Sequence, residues 1–212
     1  MKNLVIGVVV SSIVFIFLGW LLVGREKPVQ TFDMAITSTD YQTNASASAV
    51  LVEYSDFQCP ACASYHDLVS QLKADLGDRI NIVYRHFPLR QIHKNAQLAG
   101  QAAESANIQG KFWEMHDLLY EKQDEWGNLV SPLSREQVLT YFQSYAGQLG
   151  LDINKFTKAI ETNEAINIIN EDISAGTASG VNATPTFYVN NTKISEPSFA
   201  AIKKEIDRVL QK

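Results

Sequence analysis

Cys59-Pro60-Ala61-Cys62 holds the only two cysteines in 212 residues, and it constrains the fold more than any other feature of the chain. Pro60 lacks an N–H and has a fixed φ, so it suits the first turn of a helix, where that N–H has no partner anyway. Residues Asp56 to His66 therefore read as a loop entering a helix that carries Cys59 at its start. A sulfur placed there meets unpaired amide N–H groups and the positive end of the helix dipole, which favour the thiolate. The thiolate is the nucleophilic form of cysteine, so the local pattern makes Cys59 reactive near neutral pH.

Two other uses of the pair are open from spacing alone. A structural cross-link closing so short a loop adds only about 2 kcal/mol in the chain-entropy model, against nearly 5 for a loop of about 100 residues. A zinc site needs about four ligands, and His66, His86, His93 and His116 offer no second pair at short spacing. Redox exchange is the reading that uses both thiols. Just upstream, Ala49 to Tyr54 is a short apolar, β-branched run interrupted by Glu53, which reads as a strand leading into the cysteine-bearing helix.

Further motifs extend the pattern: Tyr54-Ser55-Asp56-Phe57-Gln58 before the first cysteine, Arg85-His86-Phe87-Pro88-Leu89, Gly110-Lys111-Phe112-Trp113-Glu114-Met115-His116-Asp117, and Thr184-Pro185-Thr186-Phe187. Together they resemble the DsbA-like thiol-disulfide oxidoreductases of the thioredoxin superfamily, from about Ala49 to the C-terminus. The resemblance implies an α/β thioredoxin-like fold with a helical insertion, here at about 91–176, and a catalytic dithiol of Cys59 and Cys62 with Pro60 and Ala61 forming the active-site turn. It also implies that Glu53 is a buried acid beneath the helix, able to carry the proton of Cys62. The residues alone equally permit a surface acid on an edge strand. In the resembling family Thr184-Pro185 is cis and holds an extended substrate segment through backbone hydrogen bonds. Composition alone permits a trans proline opening the strand Thr186 to Val189. Ala61 departs from the many related oxidases with histidine at this position. Such a histidine stabilises the thiolate and makes the disulfide more oxidising, so a milder oxidant, a reductase or an isomerase stays open beside the oxidase.

The activity implied is thiol–disulfide exchange with cysteine-containing client proteins, reset by a separate membrane or extracytoplasmic redox partner. No cofactor and no metal site are expected. The alternative of another class is a non-catalytic module that captures metal or grips clients. No repeat, phosphate loop or nucleic-acid fingerprint occurs, and a net charge of −5 argues against a polyanionic partner.

Leu4 to Val23 is a run of 20 residues without a charge, long enough to span a bilayer as a helix. Small residues are poorly placed for a cut beside it, so an uncleaved signal anchor is expected. The expected organisation is a cytoplasmic stub at 1–3, a transmembrane anchor at 4–23, a flexible linker at 24–47 and the domain at 48–212. Basic residues lie on both sides of the apolar run, leaving its orientation undecided. A dithiol exchanging with folding clients belongs on the oxidising, extracytoplasmic side of a cell membrane.

Within the domain, Asn81 to Phe87 reads as a second strand parallel to the first, after a helix ending near Leu76-Gly77. Ala96, Ala99, Ala102, Ala103 and Ala106 mark a small-residue helix face, and Phe112 to Tyr120 marks another helix whose Phe112, Trp113 and Met115 are expected in the core. Ser134 with Gln137 forms a capping box, and Asp152 caps the next helix. A break at Gly176 to Gly180, a turn at Asn190-Asn191, a strand near Ile194 and a helix from Pro197 close the domain. His66, four residues after Cys62, is expected to be solvated.

Overall fold

The computed structural model describes residues 41–211. The expected stub, the apolar run 4–23 and linker residues 24–40 lie outside them. Among the described residues, no helix is long and apolar enough to cross a membrane.

The sheet is built around β2 (Ala49–Ser55), which is buried along nearly all its length. On one side β3 (Ile80–His86) pairs with it in parallel, Glu53 opposite Tyr84; on the other β4 (Thr186–Val189) pairs antiparallel, Glu53 opposite Phe187. A two-residue turn at Asn190-Asn191, with Asn190 at φ 49°, leads into β5 (Thr192–Lys193) on the outer edge of β4. Asparagine tolerates that left-handed conformation, and the Asn190 side chain accepts a bond from the Val50 N–H at 2.8 Å.

The remaining edge is closed by β1 (Tyr41–Gln42), antiparallel to β3. Linker was expected through residue 47, but the order begins earlier. The Asn81 side chain donates to the Gln42 amide oxygen at 2.8 Å, and the Thr43 hydroxyl accepts the Ile82 N–H at 2.9 Å. The Tyr41 ring stacks on Phe112 at 3.5 Å, and its hydroxyl donates to Glu104. A two-residue strand has no periodicity to read; one aromatic side chain and borrowed polar partners fix it.

Period-2 alternation divides β2 between two cores. Leu51, with Ile80, Ile82, Phe187 and Val189, packs on α1 (Pro60–Leu76) through Leu72 and Leu76 and on the C-terminal α8 (Phe199–Leu210) through Ile202 and Ile206. Val52 and Tyr54 face the opposite way, with Val83, Phe87, Val181 and Tyr188. Glu53 shares parity with Leu51 and so stands under α1.

Between β3 and β4 lie α2 (Ala96–Asn107), α3 (Phe112–Glu121), α4 (Gln123–Trp126), α5 (Arg135–Gln148), α6 (Ile153–Ile160) and α7 (Asn163–Ala178). The α2 alanines are all buried, and their small size lets neighbouring helices approach closely. Ser134 and Gln137 complete a reciprocal capping box, and Asp152 caps α6 by accepting the Lys155 N–H at 3.0 Å. Helix α8 starts at Phe199, capped by Ser198, two residues later than its expected start at Pro197. Gly176 does not break a helix; it lies inside α7, where a Cβ would come within 2.8 Å of the Tyr54 ring and 2.9 Å of Phe87. Its role is close helix-to-sheet approach, which a reading of glycine as punctuation misses.

Candidate active site

Cys59 occupies the N-cap of α1 and Pro60 its first position. Its backbone N–H donates to the Asp56 carbonyl at 3.0 Å, and its carbonyl accepts the Ala63 N–H at 3.2 Å, so the sulfur is presented at the helix mouth. Cys59 is 7% exposed and Cys62 fully buried; both are free thiols. The Cys59 sulfur lies against the Thr184-Pro185 segment, whose peptide bond is cis and whose Thr184 carbonyl accepts from the Cys59 thiol at 3.6 Å. Pro60 and Ala61 are exposed beside it.

The two sulfurs are driven apart chemically. A hydrogen bond from the Cys62 thiol, reinforced by the Cys62 backbone N–H, holds Cys59 down to about 6 from an ordinary 9.0. Burial, then the neighbouring Cys59 sulfur, pushes Cys62 well up. At neutral pH the pair is therefore one thiolate near the surface and one thiol beneath it, as nucleophilic attack followed by internal resolution requires.

Glu53 lies on the central strand, 4% exposed, with β3 and β4 on either side. An edge-strand surface acid is thereby excluded. Burial raises its carboxyl from 4.5 to about 7. The Ser55 hydroxyl neighbours both groups, opposing the upward shift of Glu53 and of Cys62, and it meets the Tyr120 hydroxyl at 2.8 Å. Tyr84 continues this buried polar line at 3.4 Å from Tyr120. A carboxyl that changes protonation near neutral pH thus shares one neighbouring hydroxyl with the buried Cys62 sulfur.

A family model described as thioredoxin matches residues 38–208. The chain belongs to the thioredoxin family. Among solved structures, oxidised BdbD from Bacillus subtilis superposes with a TM-score of 0.74 at 19% identity, covering 88% of this chain and 100% of the other. A thioredoxin-like oxidoreductase from Silicibacter pomeroyi gives 0.68 at 22% identity over 83% and 95% of the two chains. Pseudomonas aeruginosa DsbA2 gives 0.66 at 22% over 82% and 97%. The fold of this thioredoxin-family chain is that of the DsbA-like oxidoreductases. Among curated proteins, the Na(+)/H(+) antiporter NhaA 3 of Salinispora tropica is 38% identical over 151 residues, 71% of this chain and 21% of that protein. NhaA 1 of Mycolicibacterium vanbaalenii is 31% identical over 92% of this chain and 32% of its own length. The chain thus spans about a fifth to a third of these relatives.

Several residues that shape the thioredoxin-type site were not singled out for a role by sequence reasoning. Asp56, fully buried, accepts three bonds at 2.7 Å: from the Gln58 N–H, the Leu89 N–H and the His93 ring. That hydrogen bond raises the pKa of His93, an effect the Cys59 charge supports. Gln123 of α4 donates to the Phe57 carbonyl at 2.7 Å and the Cys59 carbonyl at 3.0 Å, fastening the active-site loop to the insertion. Gln58 ties two further loops, accepting from the Asn95 N–H at 2.7 Å and donating to the Gly127 carbonyl at 3.3 Å. The available signal was the position of Asp56 three residues before Cys59, where a carboxylate organises a turn; His93 and Gln123 gave none. His66, expected in solvent, is instead largely covered by α3 and bonded to Asp117 at 3.1 Å.

Proposed function

We propose that this chain is a thiol–disulfide oxidoreductase acting on cysteine-containing client proteins, running mainly as a disulfide-forming oxidase. The observation that carries the reading is the opposed pair of thiols, Cys59 held at about 6 and Cys62 pushed far above it, beside the Thr184 carbonyl.

In the oxidising direction, a client thiolate attacks the Cys59 sulfur of the Cys59–Cys62 disulfide. The S–S bond breaks, Cys62 leaves with the electron pair, and Cys59 becomes joined to the client. The departing Cys62 takes a proton, which Glu53 supplies through the Ser55 hydroxyl. A second client thiolate then attacks the client sulfur, forming the client disulfide and expelling Cys59 as a thiolate. Two electrons have moved from client to protein, and a redox partner must remove them. Cys59 is a good leaving group because its conjugate thiol is acidic.

Thr184 and Pro185 hold the client by backbone pairing next to Cys59. Ile92, 65% exposed, and Val130, 97% exposed, lie three residues from Asn95 and from Gly127, on the two loops tied by Gln58. They offer apolar contact to an unfolded chain. A specific observation keeps the reductase or isomerase direction as the second reading: Ala61 leaves the turn without a histidine, so the disulfide is less oxidising than in relatives that carry one. The uncharged run Leu4 to Val23 supports attachment to the cell membrane, and exchange with folding clients favours the oxidising, extracytoplasmic side for the domain.

The deciding measurement is titration of free thiols on the disulfide form of the protein before and after mixing with a reduced, unfolded two-cysteine client. Exchange transfers two thiols to the protein for each client disulfide formed. Unchanged thiol counts on both partners would leave only the binding-module reading, and a measured reduction potential separates oxidase from reductase.

A further inference from the structure

His66 on α1, with His116 and Asp117 on α3, brings three metal-ligating side chains together at a place the exchange chemistry does not use. The candidate ligand atoms all lie within 4.8 Å of one another. Asp117 Oδ1 is 2.8 Å from His116 Nδ1 and 3.1 Å from His66 Nε2. Sequence spacing conceals the group, because His66 and Asp117 are 51 residues apart and come together only when α3 packs on α1.

We propose that His66, His116 and Asp117 form a binding site for one divalent transition-metal ion of the zinc type, bridging the active-site helix to the insertion. Two imidazoles and a carboxylate are the donor set such ions take, at about 2.0–2.2 Å from each ligand atom. Ligand atoms around a tetrahedral ion with bonds of that length lie about 3.4 Å apart, so each histidine needs to move by about half an ångström or less from Asp117 Oδ1, with the two ring nitrogens, within 4.8 Å of each other, closing on the same ion. The ion replaces the protons now shared between Oδ1 and the two ring nitrogens.

Both rings are held in place before any ion arrives. His116 sits edge-on to Tyr84 at 4.9 Å and to Phe57 at 5.6 Å, and His66 packs against Tyr120 at 5.4 Å. The Asp117 side chain is about half exposed, whereas both histidines are nine-tenths covered. The cluster therefore opens to solvent on the carboxylate side, giving an entry path and room for water to complete the coordination. Asp67, 3.8 Å from His66 Nδ1, adds negative charge at the mouth. A hydrogen-bonded His–Asp–His bridge without metal accounts for the same contacts, and binding separates the two.

The test uses the full-length chain in mild detergent, stripped with chelator and with Cys59 and Cys62 closed as a disulfide, so that no thiolate competes. Calorimetric titration with Zn²⁺ alone should show one equivalent bound. His66→Gln and Asp117→Asn should each weaken binding at least tenfold while leaving the metal-free unfolding midpoint near that of the wild type. Should either variant fail to fold, Co²⁺ decides on the wild-type protein: an intense visible spectrum without a thiolate band places the ion on nitrogen and oxygen ligands here. No binding by the wild type, or binding that both substitutions leave unchanged, overturns the site. Neither outcome decides whether the dithiol exchanges, which thiol titration of the metal-free protein with a client reads separately.

Discussion

The protonation of Glu53 couples the stability of the domain to pH. Its folded value of about 7 lies above the ordinary 4.5, so the folded state holds the proton more tightly than the unfolded state. Stability is unaffected below about pH 4.5, falls as pH rises from there through 7, and is lower by up to about 3 kcal/mol above it. Glu53→Gln removes this slope and keeps the shape. It should unfold at higher denaturant than the wild type at pH 8, with the difference vanishing near pH 4.5. The same variant should form the mixed disulfide with a reduced client several-fold more slowly in stopped-flow mixing, because the departing Cys62 loses its proton source; rates unchanged from pH 6 to 8 would remove Glu53 from the mechanism. A second residue-scale expectation concerns His93. The Asp56 charge opposes the Cys59 thiolate, and His93, bonded to Asp56 at 2.7 Å, counters it when protonated. His93→Gln keeps the hydrogen bond and loses the charge, so the midpoint of Cys59 alkylation against pH should rise above about 6. An unmoved midpoint would leave His93 a purely structural partner of Asp56.

Among the elements, α7 shows how much of the packing depends on one absent side chain. Gly176 faces Tyr54 and Phe87 at distances no Cβ tolerates, and both rings are buried, so neither has room to move away. Gly176→Ala should destabilise the domain by about 1–3 kcal/mol, the usual range for overpacking, despite the better helix propensity of alanine. A gain in midpoint would mean that α7 shifts freely on the sheet. The same helix marks where the sequence ceases to be legible. Residues Ala49 to Tyr54, the helix behind Pro60 and the capping box at Ser134 were readable because period, proline and caps are local signals. So was the dithiol, whose members are three residues apart. Gly176 reads as a break until the sheet beneath it is known, and Tyr41–Gln42 is too short to have a period. His93 and Gln123 reach the active-site loop from segments far along the chain, and no local rule carries that information. Glu53 was legible as a candidate only through family likeness, since apolar neighbours on both sides hide the direction in which it points.

For the whole molecule, the thioredoxin-type sheet supplies the dithiol and the insertion clamps it: Gln123 holds the carbonyls of Phe57 and Cys59, and α3 covers His66 with Tyr120 against its ring. Among the described residues, the dithiol comes nearest to solvent at the exposed end of α1, through Cys59. Cys59 is then the only thiol able to make the first covalent bond, and Cys62, with no exposed surface, can act only from within. Cys62→Ser should accumulate client proteins as mixed disulfides on Cys59, visible as reductant-sensitive adducts on gels of whole cells, because nothing remains to resolve them. Cys59→Ser should accumulate few, since its remaining thiol is both covered and held protonated. The trapped proteins report direction. Clients caught with newly made cysteines indicate disulfide formation, whereas clients whose cysteines are already paired indicate reduction or isomerisation. If the apolar run at 4–23 anchors the chain, the adducts should sediment with membranes and be removed by external protease on spheroplasts. Equal trapping by both single variants would reassign the nucleophile, and trapping by neither would show that the dithiol exchanges with no protein in the cell.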